Sequence, residues 1–183
     1  MWSLAGKVLT ALLVVALALA ALAAWSIVQH GVSARDKPTG LEGAIAGVLR
    51  RAAVPRAARA MKNPIKLEAA VLTEGREHWA DHCAPCHGMN GKGDTEIGRG
   101  LYPKPPDMSD GSPGLSDGEL FYIITNGVRL TGMPGWGDPR DGRSNEQTWH
   151  LVHFIRHLPK LTPAELQQMR KETMGEDEFL SGK

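Results

Sequence analysis

The N-terminal part of the chain is dominated by one long apolar run. Residues 8–28 carry no charge, and about twenty such residues are the length of a helix that crosses a bilayer. The alternative is a secretory signal, because Val32-Ser33-Ala34 is an acceptable cleavage site, although the apolar part of a signal usually has about 7 to 15 residues. We favour a transmembrane anchor over residues 1–30. In either case the segment, preceded only by Lys7, directs the rest of the chain across the membrane.

Residues 31–67 are predicted to form a basic linker with a short amphipathic helix. Apolar residues recur there at helical spacing until Pro55 interrupts the pattern. Such a helix can lie on a membrane surface, with its apolar stripe toward the lipid and its arginines among the phosphates. It can equally dock on the domain or on a neighbouring subunit, and the sequence leaves both interpretations open. The stripe consists of Leu41, Ala44, Ile45, Val48, Leu49 and Ala52.

Two long helices are predicted to enclose the core. The first runs from about Glu68 to His82, and the second from Glu146 to Leu158 behind a capping box, Ser144-x-x-Gln147. The second helix carries apolar residues at i, i+3, i+4 and i+7, which is the pattern of a helix with one buried face. That stripe consists of Leu151, Phe154, Ile155 and Leu158.

Further capping boxes indicate two more helices. Ser116-x-x-Glu119 opens the segment 120–125, which ends at Asn126-Gly127. Thr162-Pro-Ala-Glu165 opens a helix in the acidic tail 161–183, whose last part is expected to be loose. The prolines between residues 102 and 107 exclude a helix there, because they lack a backbone donor and hold their neighbours extended.

The composition adds an asymmetry of charge. Residues 1–67 hold nine basic and two acidic side chains, residues 68–160 nine and thirteen, and residues 161–183 three and five. Only 5% of the residues are aromatic, which is little for a free-standing core. A large apolar cofactor would supply the missing buried surface.

Cys83-Ala84-Pro85-Cys86-His87 is the stretch with the most specific chemistry. C-x-x-C-H is the attachment pattern of a c-type haem, in which both thiols bond covalently to the haem and the adjacent imidazole binds the iron. The alternatives are a redox dithiol or half of a zinc site. Neither is favoured, because no βαβ pattern surrounds the pair and the chain has only these two cysteines.

Met133 is the candidate for the second axial position of the iron. It lies between Gly132, which allows close approach of the backbone, and Pro134, which fixes φ and holds the turn. Met108, beside the proline-rich loop, is the rival, whereas Met89 lies too near His87 in sequence to reach the opposite haem face. The alternative is that Met133 only fills a gap in the packing of the loop and does not bind the iron.

The chain resembles the class I c-type cytochromes, in particular the short, single-haem, membrane-anchored bacterial kind. The resemblance implies an all-α fold of three to four helices around one haem over residues 68–160, with His87 and Met133 as axial ligands. It also implies that the first and last core helices cross, with Gly75 beneath Phe154, and that no residue is catalytic. The motifs that carry it are His82-Cys-Ala-Pro-Cys-His-Gly88, Gly91-Lys-Gly-Asp94, Tyr102-Pro-Lys-Pro-Pro-Asp107, residues 115–127 and Gly132-Met-Pro-Gly-Trp136.

The predicted function is electron transfer. With protein ligands on both sides of the iron, no position is open to substrate, which favours a carrier on the extracytoplasmic side of the cytoplasmic membrane. The expected partners are membrane lipid and redox proteins such as a quinol-oxidising complex, a dehydrogenase or a terminal oxidase, and not nucleic acid. The alternatives are a fixed subunit of such a membrane complex and, less favoured, a haem peroxidase or gas sensor.

Two finer expectations concern histidines. A backbone carbonyl of the loop 102–107 is expected to accept the Nδ1 proton of His87 and so fix the ring. His150, His153 and His157 share one face of the last core helix, where a solvated or partner-facing row is favoured over a metal site.

Overall fold

The computed structural model describes residues 3–138 and 140–174, without the side chains of residues 142–144 and 174. These residues form helices and loops and contain no β-strand. The chain divides into two units between Ala34 and Arg35. The helices are α1 (Leu4–His30), α2 (Gly40–Ala53), α3 (Arg56–Ala60), α4 (Ala69–His78), α5 (Ala84–His87), α6 (Glu96–Arg99), α7 (Asp117–Asn126), α8 (Gly142–His157) and α9 (Pro163–Met174), with a π-helical turn at Trp79–Cys83 and a 3-10 turn at Leu158–Lys160.

Helix α1 contains the whole uncharged run predicted from the sequence. The hydroxyl of Ser3 accepts a hydrogen bond from the backbone N–H of Gly6 at its start, and Gly31 ends it with a φ of 72°. Within the described chain, α1 is the helix long and apolar enough to cross a membrane.

Helices α4 and α8 cross at the centre of the second unit. A Cβ atom built on Gly75 would lie 3.2 Å from Cβ of Phe154, so the predicted close approach at this glycine is confirmed. The predicted apolar stripe of α8 is also confirmed. Its members and their exposed fractions are Leu151 1%, Phe154 0%, Ile155 2% and Leu158 5%.

Two helix boundaries differ from the prediction. Helix α4 stops at His78, and the residues up to Cys83 form a π-helical turn, which widens the helix just before the Cys-x-x-Cys-His motif. Helix α8 begins at Gly142 rather than at Glu146, so Ser144 lies inside its first turn and not at its cap.

Residues 54–65, including α3, pack against α7 and α8. Val54 and Ala58 are buried, and Gly118 of α7 has no room for a side chain because the carbonyl oxygen of Ala58 occupies that space. The hydroxyl of Ser116 donates to the carbonyl of Arg59 at 3.0 Å. The predicted capping box of α7 is present, with Gly127 at its C-terminal end.

Helix α9 closes the domain on the side of the π-helical turn. Its predicted capping box is present, since the backbone N–H of Glu165 donates to the Thr162 hydroxyl and the Glu165 carboxylate accepts from the Thr162 backbone. Met169 is fully buried, although nothing in the sequence singled it out. The segment expected to be loose begins at Glu172, but residues 172–174 are helical and belong to α9, so the prediction is wrong there. Residues 175–178 of that segment lie outside the described part of the chain.

Candidate haem site

The Cys-x-x-Cys-His motif spans the π-helical turn and α5. Pro85 stands in the first turn of α5, where its missing N–H is no loss, and Gly88 ends the helix with a φ of 77°. The backbone N–H of Gly93 then donates to the carbonyl of His87 at 2.7 Å. The motif is therefore held by regular backbone structure before it and a tight loop after it.

Trp79 packs against this motif from the core of the domain. Its side chain is 1% exposed, and its Nε1–H donates to the carbonyl of Gly88 at 3.1 Å. Its ring centroid lies 5.8 Å from that of His87 and 5.8 Å from that of Phe154. Trp79 thus joins the crossing of α4 and α8 to the imidazole, a role that its place in a helical pattern could not reveal.

The environment of His87 favours a neutral imidazole. Burial lowers its pKa, which favours the uncharged form that binds metals. Its Nδ1 atom is buried and has no hydrogen-bond partner in the described structure, so the expected bond to a carbonyl of the loop 102–107 is not formed. This loop instead holds the chain after the motif, because a Cβ on Gly93 would lie 2.6 Å from the carbonyl oxygen of Pro105.

The two cysteines are free thiols that are partly buried. Burial, and to a smaller extent the neighbouring Cys86, raises the pKa of Cys83 to about 12. A reactive redox dithiol needs a lowered thiol pKa, so this environment is the opposite of the one the redox alternative requires. Two adjacent thiols and a neutral imidazole fit covalent haem attachment.

The loop that carries Met133 is held rigidly at the end of α7. The backbone N–H of Met133 donates to the Thr131 hydroxyl at 3.1 Å, and its carbonyl accepts from Val128 at 3.1 Å. The backbone N–H of Trp136 donates to the carbonyl of Ile124 at 3.0 Å. Gly132 leaves room for the Leu101 side chain, since a Cβ built at position 132 would lie 2.6 Å from Cδ2 of Leu101.

An aromatic contact brings the cysteine motif and the methionine loop together. The ring centroids of His82 and Trp136 are 5.2 Å apart, with an interplanar angle of 82°. His82 immediately precedes Cys83, and Trp136 follows Met133 by three residues. Cys83 and Met133 also border the same apolar core. The candidate ligands, His87 at the end of α5 and Met133 in its loop, are 46 positions apart in sequence but lie on neighbouring segments of the fold.

The rival methionines also lie near this core. Met108 is 9% exposed, and its backbone N–H donates to the carbonyl of Gly91 at 2.7 Å, so it belongs to the packing of the loop after the motif. Met89 is partly buried against the same cluster.

Comparison with known proteins identifies this arrangement. Residues 70–155 match the family model described as cytochrome c oxidase, cbb3-type, subunit III. Over these residues the chain is similar to the class I c-type cytochromes. The match begins in α4 and ends in α8, so it covers both the Cys-x-x-Cys-His motif and the loop that carries Met133.

Two curated relatives extend the match. The chain is 27% identical over 142 residues to the cbb3-type cytochrome c oxidase subunit CcoP of Azospirillum brasilense, covering 72% of this chain and 47% of that protein. It is 30% identical over 118 residues to the subunit FixP of Azorhizobium caulinodans, covering 60% of this chain and 38% of that protein. The chain thus spans less than half the length of either relative. Together with α1, these relatives support a single-pass membrane anchor.

The three histidines of α8 do not form the solvated row that was favoured. His150 is 6% exposed, with Nδ1 at 3.0 Å from the Glu74 carboxylate. His153 Nε2 lies 2.8 Å from the carbonyl of Ile65, and His157 Nε2 lies 2.9 Å from the Glu165 carboxylate. The three histidines therefore contact three different parts of the domain, which are α4, the segment before α4, and α9. Within residues 3–138 and 140–174 no group of three or more potential ligands is arranged for a metal ion.

Proposed function

We propose that the protein is a membrane-anchored cytochrome that carries single electrons through one haem c. Cys83 and Cys86 hold the haem covalently, and His87 and Met133 are the axial ligands. The chain has two cysteines and hence one attachment motif. The observation that supports the proposal is the contact of His82 with Trp136, because these residues belong to the two segments that carry the candidate ligands His87 and Met133.

When bound, haem c supplies a one-electron Fe(III)/Fe(II) couple. The chain's own contribution is to hold the two candidate ligands in fixed positions. Trp79 packs against the imidazole from the core side, while the hydrogen bonds of Thr131 and Val128 hold Met133 in its loop. With both axial positions taken by protein ligands, no position on the iron would be open to substrate, and little rearrangement would be needed between oxidation states. These properties suit a carrier rather than a haem peroxidase or gas sensor.

The haem domain lies on the extracytoplasmic side in this proposal, with α1 retained as its anchor. The electron donor and acceptor are redox proteins of the membrane, such as a quinol-oxidising complex, a dehydrogenase or a terminal oxidase. A second candidate function is that of a fixed subunit in a terminal oxidase. The names of the two relatives, both subunits of cbb3-type oxidases, favour it.

Purification from detergent-solubilised membranes distinguishes the two candidates. A free carrier is expected to elute as a haem protein without stoichiometric companions, whereas a fixed subunit elutes with the other subunits of its complex. In both cases the ferrous protein is expected not to bind carbon monoxide at neutral pH. Ready binding would overturn the closed site and with it the carrier function.

The anchor is tested separately. We expect the intact mass of the mature protein to include residues 4–30, and the protein to stay with the membrane during carbonate extraction. A mature N-terminus at Arg35 in the soluble fraction would establish the cleaved signal instead.

A further inference from the structure

Helix α2 presents an apolar face that the rest of the described domain leaves uncovered. Its large apolar side chains lie on one side of the helix and are half to three-quarters exposed. The opposite side of the helix carries the small residues Gly43 and Gly47, and no atom lies within 4 Å of a Cβ built on either glycine. The exposed fractions are Leu41 72%, Ile45 51%, Val48 68% and Leu49 62%.

Basic side chains cluster at the C-terminal end of this helix. Residues 35–62 contain seven basic and two acidic side chains, a net charge of +5. Arg50 and Arg51 lie in the last turn of α2, and Arg56 follows at the start of α3, all with exposed side chains. A helix with an apolar face and a basic border has the composition of one that lies in the headgroup region of an anionic bilayer.

The length of the tether keeps α2 near the membrane. Nine residues, 31–39, separate the end of α1 from the start of α2. An extended chain of that length spans at most about 30 Å. If α1 is anchored, the first turn of α2 stays within that distance of the bilayer surface.

The other end of α2 is fixed to the haem domain. Directly after α2, Val54 is 4% exposed, and Arg59 lies 3.8 Å from the Glu119 carboxylate of α7. Nδ2 of Asn63 donates to the carbonyl of Trp149 at 2.9 Å. The phenol of Tyr102 also donates to Glu42 in the first turn of α2. Whatever surface α2 binds, the haem domain is therefore held against it.

We propose that α2 binds the surface of an anionic phospholipid bilayer, with Leu41, Ile45, Val48 and Leu49 among the upper acyl chains and Arg50, Arg51 and Arg56 at the phosphates. This contact orients the haem domain relative to the membrane, so that partner proteins in the same membrane meet a constant face of it. The proposal rests on the retained anchor of the proposed function.

The test uses the full-length holoprotein in bilayers. In the holoprotein both native cysteines are bonded to haem, so Val48→Cys and Gly43→Cys each give one thiol for a fluorescent label, on the apolar and the opposite side of α2. Each labelled protein is reconstituted with plain lipid or with lipid brominated in the upper acyl chain. The intensity ratio of the two samples reports contact with lipid, because quenching by haem cancels at each position.

We expect quenching by brominated lipid to be at least about twofold stronger at Val48 than at Gly43 in bilayers containing phosphatidylglycerol. Replacing Arg50 and Arg51 by Gln, or using phosphatidylcholine alone, should reduce quenching at Val48 toward the value at Gly43. Equal quenching at both positions, or quenching at Val48 that does not depend on anionic lipid, overturns the proposal and leaves a protein partner as the occupant.

The controls separate this inference from the anchor. An unchanged haem absorption spectrum shows that each variant is folded. Carbonate extraction and intact mass report on α1 whatever α2 does. A protein that stays in the membrane while Val48 remains in water refutes the role of α2 and leaves the anchored carrier intact.

Discussion

A Cβ atom on Gly75 would lie 2.4 Å from the carbonyl oxygen of His150, so α4 and α8 cross with backbone against backbone. This crossing buries Trp79 on one helix and Phe154 on the other, and Trp79 in turn contacts His87. The distance between two helices thus determines where the candidate iron ligand stands.

Gly75→Ala is expected to destabilise the domain. The overlap with a carbonyl oxygen must push the helices apart, at a cost of roughly 1–3 kcal/mol, which exceeds the gain of up to about 1 kcal/mol from replacing a helical glycine. Urea unfolding followed by circular dichroism measures the change. Gly43→Ala in α2 is the matched control, since its Cβ meets no atom within 4 Å, and it should leave stability unchanged or slightly higher. Equal effects of both variants would contradict the crossing.

Covalent attachment at Cys83 and Cys86 makes haem survive denaturation. In reducing, denaturing electrophoresis the wild-type polypeptide should retain haem-dependent peroxidase staining. The double variant Cys83→Ala, Cys86→Ala should lose it. Retention of haem by the double variant through this treatment would refute the attachment.

Met133→Ala is expected to lower the reduction potential and to abolish the weak sulfur-to-iron charge-transfer band at the red end of the ferric spectrum. A thioether ligand raises the potential, so its loss lowers it. Met108→Leu is the control, because Met108 is 9% exposed in the core and leucine conserves its volume. Loss of the band in the Met108 variant and its persistence in the Met133 variant would reverse the assignment.

Arg156 ties α8 to the loop before α7. Its guanidinium donates to the carbonyls of Gly111, Ser112 and Leu115 at 2.6 to 2.8 Å and to the Asp117 carboxylate at 2.9 Å. Arg156→Lys keeps the charge but cannot reach four acceptors, so it should cost about 1–3 kcal/mol in the free energy of unfolding. Arg129→Lys, at an exposed side chain, is the control for the same chemical change. A loss of stability smaller than that of the control would refute the role of the four hydrogen bonds of Arg156.

Glu165 should make stability sensitive to acid. Hydrogen bonds from the Thr162 backbone, and then from His157, lower its pKa from 4.5 to about 2. Because the folded pKa is the lower one, this contribution is complete above about pH 4.5 and is lost as the pH falls toward 2. After solvent screening it amounts to about 1–2 kcal/mol.

Thermal unfolding between pH 3 and 6 tests this contribution. Glu165→Gln should flatten the pH dependence in that interval, whereas Glu146→Gln, at an exposed position of α8, should leave it unchanged. The same slope in Glu165→Gln and wild type would show that the carboxylate does not couple to folding.

Features that depend on local chemistry could be predicted from the sequence. Capping boxes at Ser116 and Thr162 close hydrogen bonds within four residues, and the stripe of α8 follows from helical periodicity, so both could be predicted from neighbours in the chain. The C-x-x-C-H spacing and the apolar run of α1 are local in the same sense.

Contacts between residues far apart in the chain could not be predicted from the sequence and depend on how the domain packs. The π-helical turn at Trp79–Cys83 has no sequence signal of its own, since the same residues fit an ordinary helix. The sequence predicts a solvated row of histidines on α8, but in the fold they contact residues distant in the chain. These contacts are His150 with Glu74, His153 with Ile65, and His157 with Glu165. The contact of His82 with Trp136 joins two segments more than fifty residues apart. Periodicity reports which face of a helix is buried, whereas packing alone determines what covers that face.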